Sequence, residues 1–232
     1  MELVALAIAP GIAICLYLFY TDLYNREPKK NLVISFILGC LAIIPAIIFE
    51  LAFSSTDNGT ILGTVVFAYA VVGFSEEASK YLGLRFYSYN KKAFDEPLDG
   101  IVYAVMISMG FATVENILYA VKYQSLNVVV MRMFLSVPAH ATFAVVMGYF
   151  VGKAKFDSGK SIKLMLMGLL GAIFFHGSFD FFIFLNENRL VSYLVSDGLL
   201  LTGALGSFIT ALVLSRKLIL RSKLVSKQMF IK

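Results

Sequence analysis

The chain has 232 residues, of which 59% are hydrophobic and 15% charged, and its mean hydropathy is +0.81. That is far more apolar than an ordinary soluble domain, so composition excludes a soluble globular fold and points to a multi-pass protein of the cell membrane. The formal charge of +5 says less than where the charge sits, and it calls for no nucleic-acid partner.

Seven apolar stretches follow in chain order, roughly 3–20, 31–53, 61–86, 99–121, 129–151, 162–186 and 191–214, each near the ~20 residues a helix needs to cross a bilayer. The expected fold is therefore all-α, a polytopic membrane helix bundle of about seven transmembrane helices. No basic residue precedes the first stretch, where Met1 and Glu2 stand, so it lacks the positive region of a signal peptide and is expected to be retained. Cys15 and Cys40 fall inside apolar stretches and read as small core residues rather than a disulfide. With no Trp in the chain, Tyr and Phe must supply the interfacial anchors.

The connections give the orientation. The first carries Arg26, Lys29 and Lys30; the second, 54–60, carries no Lys or Arg. Lys91 and Lys92 lie in the third, with Arg85 just before it, whereas the fourth has Lys122 with Arg132 nearby. Lys153, Lys155, Lys160 and Lys163 mark the fifth, Arg189 the sixth, and Arg216, Lys217, Arg221, Lys223, Lys227 and Lys232 the tail. Rich and poor loops alternate throughout, so the positive-inside rule predicts an outside N-terminus and a cytoplasmic C-terminus. The domain reading is one helix bundle over 1–215 and a basic cytoplasmic tail over 216–232, a stop-transfer flank. Connections this short leave no room for a soluble domain, so any activity belongs to the bundle. Asp95-Glu96-Pro97-Leu98-Asp99-Gly100 reads as a helix start, with acids around the first turn and Pro near its first position; its three acids also leave a substrate contact open.

Polar residues inside the spans carry the functional signal. Glu76, Glu77 and Lys80 interrupt the third stretch, and ionised groups at membrane depth cost about 2.5–3.5 kcal/mol each on insertion scales, so they mark functional sites. Glu115 and Asn116 lie in the fourth stretch, His140 in the fifth, His176 and Asp180 in the sixth. His140 and His176 are the chain's two histidines. Glu76 and Lys80 share a helix face, as do His176 and Asp180, which places Asp180 to fix the imidazole tautomer. Counting helical rise from the cytoplasmic ends puts Glu76 roughly 15 Å deep, His140 about 17 Å, His176 about 21 Å and Glu115 about 24 Å. Matched depth favours one shared site over scattered interhelical contacts, although a single His or Glu in a bundle is often only glue.

In order and spacing, Glu76-Glu77-Ala78-Ser79-Lys80, Phe94 through Gly100, Gly110-Phe111 through Glu115-Asn116, His140, and His176 with Asp180 make the sequence similar to the PrsW family of intramembrane proteases, relatives of the CAAX-prenyl endopeptidases and bacteriocin-processing membrane proteins. The prenyl endopeptidases show Arg where Lys80 stands, His where Glu115 stands and Asn where Asp180 stands, so these positions favour PrsW. The resemblance implies cleavage of a single-span membrane-anchored substrate such as an anti-sigma factor, the first cut of an envelope-stress cascade. It carries Glu76 and Glu77 over as catalytic carboxylates, assisted by His140 and His176, with Glu115 joining them and Lys80, Asn116 and Asp180 in support.

Two chemistries fit those residues. In one, Glu76 deprotonates a free water and a histidine stabilises the oxyanion. In the other, His140, His176 and a carboxylate, Glu115 being the candidate, hold Zn²⁺ while a second glutamate is the base. The absence of a His-Glu-x-x-His helix tilts the reading to the first. A proton- or cation-coupled transporter using the same carboxylates is the alternative function, without the paired broken helices that would support it. A seven-span receptor rests on span count and the outside N-terminus alone.

Overall fold

A computed structural model describes residues 2–21, 25–188, 191 and 194–230. Met1, Arg189 and Lys232, which entered the reading of the termini and loops, lie outside the described residues. Among the described residues the chain is helical, with no strand, and seven helical segments are long and apolar enough to cross a membrane.

The first two spans are α1 (Glu2–Thr21) and α2 (Lys29–Ala52). The third is compound. A short α3 (Ile61–Val66) passes into a π-helical stretch, Phe67–Gly73, and then into α4 (Phe74–Phe86). The fourth is α5 (Pro97–Tyr123). Where one stretch was expected over 129–151, the chain forms α6 (Leu126–Phe134) and α7 (Ser136–Phe156), broken at Leu135. Pro138 explains the restart: it lies in the first turn of α7, where its missing N–H and fixed φ are tolerated. The sixth and seventh spans are α8 (Ser161–Glu187) and α9 (Asp197–Phe230). α9 starts later than expected and runs through residue 215 without interruption, so the tail is helical as far as Phe230.

α5 is the axis of the bundle. Ile101, Tyr103, Ile107, Met109 and Ala112 are fully buried along it, and α1, α2, α4, α6, α7 and α9 pack around it. Backbones approach closely at small residues, as is usual where lipid offers no hydrophobic drive between helices. A Cβ added at Gly148 of α7 would lie 2.3 Å from the Gly100 carbonyl of α5. Outward stripes such as Ile37, Leu41, Ile44 and Ile48 on α2 are exposed, as a lipid-facing surface requires.

The acidic run before α5 is a helix cap. Asp99 Oδ2 accepts from the backbone N–H of Asp95 and of Glu96, each at 2.8 Å, and Glu96 is the N-cap. Tyr103 donates to Glu27 and Asn25 donates to Asp95 at 2.9 Å, so the first and third connections are tied together at that end. None of these acids lines the cavity described below.

Candidate active site

Four helices build the site. α4 supplies Glu76, Glu77 and Lys80, α5 Glu115, α7 His140, and α8 His176 and Asp180. The π-helical stretch ends three residues before Glu76, and insertions of this kind recur at functional sites. Gly73 at its end lies against α8, where a Cβ would stand 3.3 Å from Gly177 N and from Ile173 O. That contact sets His176 beside Glu77.

Glu76, Glu77, His140 and His176 are all buried, and one ligating atom of each lies within 4.8 Å of the others. His176 Nδ1 is 2.8 Å from Glu77 Oε1, and its Nε2 is 3.1 Å from Asp180 Oδ2 and 3.8 Å from Glu76 Oε2. Lys80 Nζ donates to Glu76 Oε2 at 2.9 Å, to Glu77 Oε1 at 2.8 Å and to His140 Nδ1 at 3.2 Å. An ammonium has only donors, so His140 Nδ1 accepts, and this network assigns the ring proton to Nε2, which donates to Glu115 Oε2 at 3.0 Å.

The structure thus brings together the diglutamate and both histidines, and places Asp180 against His176 as the i,i+4 spacing predicts. Glu115, the carboxylate expected to complete a metal set, stands one shell further out. It holds the far side of His140 and pairs with Arg132 Nη2 at 2.7 Å. The carboxylates of the four-residue group are Glu76 and Glu77, and the first turn of α4 points Glu77 across to His176 of α8. Asn116 is remote from the ligating atoms; its Oδ1 accepts from Arg132 Nε at 3.1 Å and its Nδ2 donates to Ala7 O at 3.0 Å.

Sequence reading passed over two residues. Arg132, counted only as a loop charge, lies on α6 with its guanidinium 3.8 Å from the Tyr119 ring centroid. Glu50, inside the second stretch and not singled out, accepts from Ser75 Oγ at 3.2 Å. The same signal that exposed the diglutamate, charge at membrane depth, was available for both.

These groups open on a cavity of about 700 Å³. Glu76, Glu115, His140, His176 and Asp180 lie on its wall, with Glu50 and Arg132 farther along and apolar side chains such as Ile47, Met131 and Leu201 between them. Glu77 does not line it and is the more buried of the pair, at 1% exposure against 5% for Glu76.

The donor set fits a metal ion. It offers two imidazoles and two carboxylates, His140 presents a lone pair inward, and Glu77 Oε2 is buried without a hydrogen-bond partner among the described residues. Outer partners are also in place, Glu115 for His140 and Asp180 for His176, as ligating histidines require.

A buried His and carboxylate cluster in a seven-span bundle, opening on a cavity, is the arrangement expected of an intramembrane peptidase, a multi-pass membrane hydrolase. Residues 27–209 match the family described as PrsW family intramembrane metalloprotease. The chain is 35% identical over 182 residues to Protease PrsW of Bacillus subtilis (strain 168), covering 78% of this chain and 82% of that protein. It is 34% identical over 183 residues to Protease PrsW of Shouchella clausii (79% and 84%) and 33% identical over 186 residues to that of Geobacillus kaustophilus (80% and 81%). The chain belongs to the PrsW family of intramembrane proteases. No solved structure matches it, and the transporter alternative finds no support in these comparisons.

Proposed function

We propose that this protein cuts a single-span membrane protein of the anti-sigma-factor type, making the first cleavage of an envelope-stress cascade, with Glu76 as the base. The observation that carries the reading is the clustering of Glu76, Glu77, His140 and His176 within 4.8 Å, with all but Glu77 on the cavity wall. An extended substrate segment enters along the apolar wall. Of the two glutamates, Glu76 faces the cavity, so it takes the proton of the attacking water and returns it to the leaving amine. Glu77, enclosed between His176 and Lys80, fixes the geometry. His140 is held by Glu115, and His176 Nε2 reaches the cavity beside Glu76.

Zinc suits this donor set, since two His and a carboxylate with an open position form a known catalytic arrangement. His140, His176 and Glu77 would hold it, leaving Glu76 as the base, and it would supply Lewis-acid polarisation and a lowered water pKa. The family description as a metalloprotease supports this form over a free-water mechanism.

The test is cleavage of a single-span substrate by purified protein in detergent, with and without chelator. Glu76→Gln is expected to abolish cleavage with folding intact, and chelation to stop the wild type. Retained turnover in both Glu76→Gln and Glu77→Gln would remove the diglutamate from the chemistry. Full activity with no detectable metal would remove zinc and leave Glu76 acting on free water.

A further inference from the structure

Lys80 has no part in the proposed reaction, yet it occupies the centre of the site. Its ammonium is buried, at 3% exposure, and contacts three of the four candidate ligands. Nζ lies 2.8 Å from Glu77 Oε1 and 3.2 Å from His140 Nδ1, the atoms that these two ligands would offer. An ion bonded to both, at about 2.0–2.2 Å from each, lies between them, in the space against the lysine nitrogen. Two cations do not share that space: the contact is too short and the repulsion in a buried site too large.

We propose that Lys80 is a built-in counter-cation that competes with the metal for one place. Without metal, the ammonium neutralises the diglutamate and keeps the four ligating groups gathered. Metal binding displaces it. The flexible stem of a lysine allows that movement, and a platform lies alongside: Nζ is 4.1 Å from the ring centroid of Phe111, which also lines the cavity. The inference rests on the reading of the four-residue group as a metal site. It assigns Lys80 a role in metal affinity rather than in bond cleavage, so its readout is binding.

The experiment measures zinc affinity of the full chain in detergent by competition with a chromophoric chelator, for wild type, Lys80→Met, Lys80→Arg and His176→Ala. Met keeps the stem and removes the charge, so Lys80→Met is expected to bind zinc roughly tenfold more tightly or better. Lys80→Arg, which keeps the charge, should gain nothing. Zinc-free Lys80→Met should melt at a lower temperature than the wild type, and saturating zinc should raise its Tm by more. Should Lys80→Met not fold, amine-reactive footprinting of wild-type Lys80 gives an independent reading, with labelling expected to rise when zinc is added. Equal or weaker zinc binding by Lys80→Met, or unchanged labelling of Lys80 in protein that binds zinc, overturns the proposal and leaves the metal site standing. If neither wild type nor Lys80→Met binds zinc in a manner lost in His176→Ala, the metal site and the proposal fall together.

Discussion

At the scale of single residues, the site is organised by what stands behind the histidines. Glu115 touches His140 Nε2 on one side and Arg132 on the other, and Arg132 is anchored in turn by Asn116, which is fully buried. Removing the guanidinium leaves Glu115 free to turn away and His140 free to change tautomer. Loss of an outer partner of a ligating histidine costs roughly 10–100-fold in activity or metal affinity. Arg132→Met is therefore expected to lower kcat by that range with the fold intact, checked by turnover together with far-UV circular dichroism. Wild-type kcat in this variant would confine Arg132 to packing. The diglutamate differs, because it shares a buried cation. Taking one partner from a buried ion pair costs about 3–5 kcal/mol, so Lys80→Met should destabilise the metal-free protein far more than Arg132→Met.

Helix by helix, the arrangement depends on two features of different legibility. Seven apolar stretches were plain in the sequence, because hydropathy averaged over about twenty residues survives local irregularity. Their register along the membrane was legible too: His140, His176 and Glu76 do meet, as the depths counted from a uniform helical rise required. The π-helical stretch at Phe67–Gly73 and the break at Leu135 were not, since neither disturbs an apolar run. Lateral placement was hidden for the same reason, and so Glu115 was the ligand candidate where the structure gathers Glu77 with Glu76 and the two histidines. Gly177 shows how tightly the helices are set. A Cβ there would meet Tyr69 Cδ1 at 2.6 Å and Tyr69 Cα at 3.0 Å, and a backbone atom cannot swing aside. Gly177→Ala is expected to cost about 1–3 kcal/mol by overpacking and to move His176 off Glu77, lowering activity. Gly206→Ala on α9, with nothing within 4 Å of the new Cβ, is the matched control. Thermal melts of the two variants in detergent decide it; equal melting temperatures would mean that α8 yields freely.

For the whole molecule, loop contacts sort the two ends of the bundle independently of charge. Asn25 bonds Asp95, and Lys155 bonds the Tyr89 carbonyl, so the first, third and fifth connections share one end. Asn188 donates to the Gly59 carbonyl at 2.8 Å, which puts the second and sixth at the other. Basic residues crowd the first end, and α9, whose 34 residues extend about 51 Å at the helical rise, carries Arg221, Lys223 and Lys227 beyond a hydrocarbon core of about 30 Å on that same side. By the positive-inside rule we propose that the first end is cytoplasmic. Glu50, Tyr123, Asn186 and Asp197 lie on the cavity wall near the other ends of their helices, so in this proposed orientation the cavity reaches toward the outside. Reporter fusions in loop 54–60 and after Phe230 should accordingly report opposite sides. Asn186→Cys, exposed at the mouth, should react with a membrane-impermeant maleimide applied to intact cells in a background lacking Cys15 and Cys40, and substrate bound in the cavity should slow the reaction. Labelling only after the cells are opened would invert the orientation and count against the envelope-stress role proposed above.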